Sequence, residues 1–343
     1  MSRDKLLIIG VVVLGVLGVL VYKQQQKDAS IGKAVVEAKD FPTISAPEDV
    51  DKISITNGDK GEIVLEKIPD PKGKPDADGG AATMWQMTKP QKAAANQQTV
   101  KDLVANLSEI KVDSRVNLVL DDAVRKDKQL DAAHAVHVVA WKGAEKTVDE
   151  SFGKSGPAGQ LVVVSDKPDV VWAAKGYSSY LYSKEPKDFR DKEIFKFDDA
   201  NASQVTLANA HGQLSFTKGD KWAATFDKKP LPRFDESKLK DMLRAYKALQ
   251  ADDFGDGKAP ADLGLDKPEA TVTIDLKDGA GQYSLLVGKV STGTNRWAKR
   301  GGDDTIFQIT NYSAEWATSD ATKYQAATDA GAPDASSKPA PKK

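Results

Sequence analysis

Residues 130–154 read LDAAHAVHVVAWKGAEKTVDESFGK, and residues 265–289 read LDKPEATVTIDLKDGAGQYSLLVGK. Laid one on the other, Leu130-Asp131 matches Leu265-Asp266, and Val139 and Trp141 match Ile274 and Leu276. Phe152-Gly153-Lys154 matches Val287-Gly288-Lys289. The register continues beyond the quoted stretches, with Trp172 on Phe307 and Tyr177-Ser178 on Tyr312-Ser313. The offset, Leu130 to Leu265, is 135 residues. Self-similarity at one fixed spacing says that the chain holds two copies of one unit, and it takes precedence over any local reading.

Working outward, each copy opens on alternation. Ile53 and Ile55, then Ile63 and Leu65, have the period of two that half-buried strands require, with a turn at Asn57-Gly58 or Lys60-Gly61. Val205 and Leu207, then Leu214 and Phe216, repeat the pattern around His211-Gly212. A tryptophan follows in each, Trp85 and Trp222. Next come the stripes Val100, Leu103, Val104, Leu107, Ile110 and Leu239, Met242, Leu243, Tyr246, Leu249, both spaced 0, 3, 4, 7, 10. That spacing puts every apolar group on one face of a helix, predicted over 97–111 and 236–250. About four strands follow in each copy. Blocks of strands with one covering helix mean an α+β class with mainly antiparallel sheet.

The predicted organisation is a cytoplasmic tail and transmembrane anchor over 1–23, a tether over 24–48, repeat units at 49–197 and 198–325, and a disordered tail over 326–343. The anchor rests on Leu6 to Tyr22, 17 apolar or small residues preceded by Arg3 and Lys5. At about 1.5 Å rise per residue this is the short end of a membrane span. No small-x-small cleavage site follows, so a retained signal anchor is expected rather than a removed signal peptide. The bulk of the chain is then expected in the periplasm or extracytoplasmic space of a bacterial inner membrane. Net charge is -1 with 29% charged residues of mixed sign, against the basic face that nucleic acid requires. Cysteine is absent, which removes disulfides, thiolate metal sites and thiol nucleophiles.

The order of features resembles the DUF4340 family of bacterial membrane-anchored proteins. The resemblance is carried by Trp85-Gln86-Met87 ahead of Pro90, by Gly264-Leu265-Asp266-x-Pro268, by Val287-Gly288, and by Phe189-Arg190-Asp191-Lys192 before Phe197-Asp198. It spans about residues 45–325. The first copy departs from it, with Gln129 where Gly264 stands and no proline after Asp131. The resemblance implies extracytoplasmic partners of ABC-type transport or gliding-associated complexes, and no established activity.

No residue set demands a chemistry. His134 and His137 stand three apart, and odd spacing on a strand sends side chains to opposite faces, so one metal ion is not shared. His211 sits at a turn. Ser151-Phe152-Gly153-Lys154 matches S-x-x-K, yet that nucleophile needs Ser and Lys on one helical turn, and Leu286 replaces Ser151 in the second copy. Asp253-Phe254-Gly255 has no kinase context. The tryptophans are predicted as core, because they match across the repeat. No catalytic, cofactor or metal residue is assigned. The leading expectation is a non-enzymatic, single-pass membrane-anchored extracytoplasmic protein that binds a partner in an envelope complex, an ABC-type transport or gliding-associated assembly. The alternative is a glycan or cell-wall polymer module, and the third is a carboxylate-only hydrolase. A small-molecule ligand is left open.

Overall fold

The computed structural model describes residues 41, 43, 47–58, 60–71, 73 and 81–327. The predicted anchor at Leu6–Tyr22 lies outside the described residues, as do nearly all of the tether and tail. Among the described residues no helix is long and apolar enough to cross a membrane. The chain divides into two units between Asp191 and Lys192.

The first unit contains β1 (Lys52–Asn57), β2 (Gly61–Pro69), β3 (Thr83–Lys89) and β4 (Ala93–Ala94), then α1 (Gln97–Glu109) and β5 (Lys111–Val116). It continues with α2 (Asp122–Asp127), β6 (Val136–Lys142), β7 (Glu145–Gly156), β8 (Gly159–Val164), β9 (Val171–Lys175) and α3 (Ser179–Tyr182). The second has β10 (Ala202–Asn209), β11 (Gly212–Lys218), β12 (Trp222–Phe226), β13 (Lys229–Pro230), α4 (Glu236–Tyr246) and β14 (Asp253–Phe254). It ends in β15 (Ala270–Leu276), β16 (Gln282–Val290), β17 (Arg296–Arg300), β18 (Ile306–Ile309) and α5 (Asn311–Thr318). Among the described residues each unit is a nine-stranded sheet, ordered β4-β3-β2-β1-β6-β7-β8-β9-β5 and β13-β12-β11-β10-β15-β16-β17-β18-β14. Every pairing is antiparallel, and the second order is the first with nine added.

The helix that follows β4 feeds β5, so it leaves one edge of the sheet and enters the other. Its 13 residues extend about 20 Å at ~1.5 Å each. Eight flat inter-strand steps of ~4.8 Å would need about 38 Å. The sheet therefore curls around its helix, helped by irregularities at Val64/Leu65, Ala140/Trp141 and Phe152/Ser155, since bulges bend and twist a strand. Val100, Leu103, Val104 and Leu107 fill the concavity against Ile53, Ile55, Val138, Ala140 and Phe152. Leu239, Met242, Leu243 and Tyr246 do so against Val205, Leu207, Val272, Ile274 and Val287. Both helices thus cover the same side of equivalent sheets.

The helix starts are built alike. Asn96 accepts from the Thr99 amide at 2.9 Å and Asp235 from the Ser237 amide at 2.9 Å, each an N-cap that satisfies an orphan donor. The Asn96 amide donates to the Phe189 carbonyl at 2.8 Å, and the Asp235 amide to the Tyr324 carbonyl at 2.9 Å. Phe189 and Tyr324 are both fully buried and stand 135 residues apart, so each unit closes its C-terminus on its own helix N-terminus.

Four readings of the sequence are adjusted. The unit boundary moves forward from 197, because Ile194 and Phe195 are buried in the second core and their amides bond the Leu249 carbonyl. In β6 the offset is 134: Val138 and Ala140 oppose Ile55 and Ile53, while Val272 and Ile274 oppose Leu207 and Val205. Val139 and Trp141 are therefore on the outer face, since a one-residue slip exchanges faces. Each sheet has more strands than the alternation marked. Finally, one covering helix per unit is too few, because α5 packs Ala314, Trp316 and Ala317 into the second core and α3 packs Tyr182 into the first.

Gln129 occupies the place of Gly264, and both backbones are left-handed, at φ 55° and 72°. The turns are the same, with Leu130 N bonded to the Arg125 carbonyl and Leu265 N to the Pro260 carbonyl. A side chain in that region costs roughly 1–2 kcal/mol. Gln129→Gly is expected to raise the stability of the first unit by about 1 kcal/mol, read as a higher melting temperature. In the opposite direction, Leu103→Asp and Leu243→Asp each place an unpaired carboxylate in a core, at a cost of several kcal/mol. Each is expected to unfold its own unit, followed by loss of methyl chemical-shift dispersion in that unit alone.

Candidate functional site

A duplicated fold contains its own control: what both copies share serves the fold, and what only one has is free to serve function. The first unit has a cleft of about 370 Å³ lined by Pro47, Glu48, Lys67, Trp85, Gln97, Lys101, Val104 and Ala105. Its main contacts recur in the second unit. Lys67 opposes Trp85 across β2–β3, sits 5.4 Å from the indole centroid, and donates to the Glu48 carbonyl. Lys218 opposes Trp222, sits 5.7 Å from its centroid, and donates to the Ala200 carbonyl at 3.2 Å. Gln97, at the start of α1, clasps the Trp85 backbone at 2.7 Å and 2.9 Å. Glu236, at the start of α4, accepts from the Trp222 backbone. This cleft belongs to the shared framework.

A second cleft encloses about 220 Å³. It lies on the outer face of the first sheet, away from the helix. Val116 and Leu161 form its buried floor, Leu118, Pro157 and Ala158 its walls, and Lys128 and Lys154 its rim. Beside it Val119 is 84% exposed, an unusual position for a large aliphatic side chain. The Lys128 ammonium pairs with Asp127 at 2.9 Å. Lys154 makes no ion pair among the described residues, whereas its counterpart Lys289 donates to the Asp262 carbonyl at 3.0 Å.

In the second unit different residues stand at the places of this floor. Leu161 opposes Ala173, and at the equivalent place Trp297 opposes Gln308. The Trp297 ring lies over Gly255, so closely that a Cβ on that glycine would stand 3.1 Å from Cζ3 and 2.5 Å from Ile306. Lys258 covers the indole at 5.7 Å. Trp297 packs with Leu263, Leu265, Leu286 and Ile306 in a small outer cluster. The first unit has Leu161 there, and Val116, opposite Val171 as Gly255 is opposite Ile306, stands where the second unit has glycine beneath the ring.

The other difference between copies is buried. Glu150 on β7 is 2% exposed and faces the core between Val148 and Phe152. Leu285 stands at the same register in the second unit, opposite Val272 as Glu150 is opposite Val138. Burial, with the neighbouring Asp149 charge adding to it, pushes the Glu150 carboxyl up to about 8. At neutral pH the group is protonated. The buried Tyr182 hydroxyl, which has no hydrogen-bond partner among the described residues, is pushed far up by burial, with Tyr177, Glu150 and Glu109 contributing. Phe152, Tyr177 and Tyr182 stack beside it, at centroid distances of 4.1 Å and 4.8 Å.

The domain family DUF4340, described as a domain of unknown function, matches residues 85–268 and 256–328. The chain belongs to the DUF4340 family. No curated protein and no solved structure matches it. The two matched segments together run from the Trp85 strand through both helices to the closing Tyr324, so this DUF4340 chain carries the family pattern over the shared framework.

The residues singled out in the sequence fall apart as chemistry. His134 pairs with Asp131 at 2.8 Å, and His137 pairs with Asp149 at 2.8 Å. Asp149 also takes Lys146 at 2.7 Å and the Ser165 hydroxyl. Burial opposes its ionisation, yet the bonds from Lys146, Ser165 and His137 hold its carboxyl down at about 2. Ser165 and His137 both bond the carboxylate, so the histidine has no serine proton to accept, as a nucleophilic triad requires. Among the described residues no group of three or more His, Asp or Glu could hold a metal ion. Ser151 and Lys154 lie on β7, a strand rather than a helical turn. Trp85, Trp172, Trp222 and Trp316 are buried, as predicted for core, whereas Trp141 and Trp297 are half-buried on outer faces. The outer cleft had no sequence signature, because its lining comes from three separate stretches, 116–118, 128 and 154–161.

Glu150 sets a pH dependence. The folded carboxyl titrates near 8 and the unfolded one near 4.5, so the folded state alone holds the proton in between. Stability is therefore full below about pH 4.5, falls as pH rises, and levels off above about pH 8, by roughly 3–5 kcal/mol in total. Glu150→Leu, copying Leu285, is expected to flatten this slope and raise the melting temperature at pH 8. Parallel slopes for variant and parent, by denaturant unfolding at pH 5, 6.5 and 8, would contradict it.

Proposed function

We propose that this chain is a non-enzymatic, single-pass membrane-anchored extracytoplasmic protein that binds a partner in an envelope complex, of the ABC-type transport or gliding-associated kind that the family resemblance implies. The observation that carries the reading is the outer-face cleft of the first unit with the exposed Val119 beside it. An apolar hollow rimmed by charge is how surfaces that meet other proteins differ from inert ones. At about 220 Å³ it is smaller than the ~300–1,000 Å³ usual for small-molecule sites, and it suits one inserted side chain. Anchorage rests on the Leu6–Tyr22 run, whose transfer to lipid far outweighs holding a five-residue polar tail on one side. The tryptophans of the shared framework are buried, which weighs against a glycan platform.

Two measurements test the reading. A photo-crosslinker at Val119 of the full chain in living cells is expected to capture a membrane or envelope protein, while one at Tyr180, exposed on the α3 side, captures it less. Equal capture at both places removes the cleft from the argument. Protease added to intact spheroplasts is expected to digest the chain beyond residue 24. Protection until lysis would reverse the orientation and remove the extracytoplasmic reading.

A further inference from the structure

We infer that the segment Gly176–Ser183 of the first unit is a lid, held shut over Glu150 while that carboxyl keeps its proton and released when the proton passes to solvent. Its operation does not depend on any partner. Three observations carry it.

The first is what lies beneath the lid. Glu150 on β7 is flanked by Val138 of β6 and Val164 of β8, so neither neighbouring strand offers it a polar side chain. Glu109 of α1 and Tyr177 of the lid act with it on the Tyr182 hydroxyl, and Asp149 adjoins it on the opposite face of the strand. None of these is a cation. Tyr182 is fully buried, with its hydroxyl unbonded among the described residues. Its ring stacks on Tyr177 at 4.8 Å, and Tyr177 stacks on Phe152, two residues along β7 from Glu150, at 4.1 Å. The lid thus covers the carboxyl with ring surface, which a neutral acid tolerates far better than a carboxylate.

The second is the comparison of copies. The second unit builds the same element to stay in place. Helix α5 has eight residues where α3 has four. Thr310 caps the Ser313 amide, whereas Ser178 makes no side-chain cap. The Tyr246 hydroxyl of α4 donates to the Ser313 carbonyl at 2.9 Å, and Leu107, at the same place on α1, has no hydroxyl to give. Leu285 stands in place of Glu150, and Ala317 in place of Tyr182. The first unit therefore joins a loosened cover to an ionisable floor, and the second has neither.

The third is the hinge. Gly176 has φ 85°, and a Cβ there would stand 2.6 Å from the Glu109 carbonyl oxygen, so this bend requires glycine. Asn106 of α1 fixes it, donating to the Gly176 carbonyl at 2.8 Å and accepting from the Ser178 amide at 3.1 Å. On the far side Phe189 is fully buried. Between these points the lid is held by its rings and by an exposed bond from the Lys60 ammonium to the Ser183 carbonyl at 2.5 Å. It can lift without breaking a strand pairing.

The sign of the response follows from burial. With the lid shut the Glu150 carboxyl titrates near 8, and with the lid open water returns it toward 4.5. The open form gives up the proton first, so rising pH favours it, by about tenfold per pH unit between those values.

The test is hydrogen exchange of the full chain in lipid nanodiscs from about pH 5 to 9, corrected for the intrinsic pH dependence of exchange. The Leu181 and Ser183 amides, bonded within the lid at 2.9 Å, report its opening. They are expected to be at least about a hundredfold less protected than the amides of β6 and β8 at every pH, and to lose protection about tenfold per pH unit between about pH 5.5 and 7.5. The α5 amides of the second unit should show no such slope. Glu150→Gln, neutral at every pH, should flatten the slope in the lid, and should it not fold, Glu150→Leu, which copies Leu285, must do so. Lid protection that ignores pH in the parent chain, or the same slope in a folded Glu150 variant, overturns the inference. Equal protection of lid and core strands also overturns it, because the segment then opens only when the whole unit unfolds.

Discussion

In each unit one helix has to travel from one edge of a nine-stranded sheet to the other, and the chain allows it only about 20 Å to do so. The sheet can meet that limit only by curling, and a curled sheet presents a concave face that needs filling. The stripe spaced 0, 3, 4, 7, 10 fills it. Five apolar side chains at ~1.5–3 kcal/mol each contribute on the order of 10 kcal/mol, an upper bound because the unfolded chain already hides part of them. The rest of each unit is arranged around this contact. The tryptophan strand is fixed to the first helical turn through Gln97 or Glu236. The C-terminal turn bonds the N-cap residue and drops Phe189 or Tyr324 beneath it.

Because the concave side is consumed by the helix, a polar change there must meet the cost of burial, whereas the convex side varies freely. The first copy shows this on both sides of β7. On the convex side Asp149 gathers His137, Lys146 and Ser165 at the surface, and the polar network displaces nothing. On the concave side Glu150 replaces what is leucine in the second copy, and the core accepts it only as a neutral acid. Adjacent residues on one strand therefore have carboxyls displaced in opposite directions, one near 2 and one near 8, by nothing more than the face each occupies. The first unit thus loses the Asp149 contribution as pH falls toward 2 and the Glu150 contribution as pH rises toward 8.

The parts legible in the sequence are those where one period dominates. The two helix stripes and the opening hairpins have that property, and the structure holds them close to where the spacing put them. The strand around Trp85 offers only Trp85 and Met87 in alternation, and β4, β13 and β14 are two residues long, so no period can develop. In β5 the irregularity between Val112 and Ser114 interrupts the alternation. In β6 the run Val138 to Ala140 is apolar on both faces, which is why the repeat could be aligned one residue out of register. The helix at Asn311–Thr318 buries one large side chain, Trp316, beside alanine and serine, too few apolar groups to mark a stripe. The Phe189–Tyr324 equivalence did keep the 135-residue offset, but its meaning depends on a backbone bond to a residue almost 90 positions earlier, which spacing alone does not reveal.

The duplication also decides how the candidate sites should be ranked. A lysine over a tryptophan beside a larger cleft would attract a ligand hypothesis in a single-copy protein. Here the same lysine, tryptophan and helix-start contacts recur in a copy with different surroundings, so their common cause is the fold. The outer cleft has the opposite standing. Its floor differs between the copies at two places, Leu161 for Trp297 and Val116 for Gly255, so a ring against a glycine in one unit is two aliphatic side chains in the other. The hollow that Leu118, Pro157 and Ala158 leave beside them is apolar, with Lys154 at its rim and Val119 in water next to it, and apolar surface of that kind is stabilised when another chain takes it out of water.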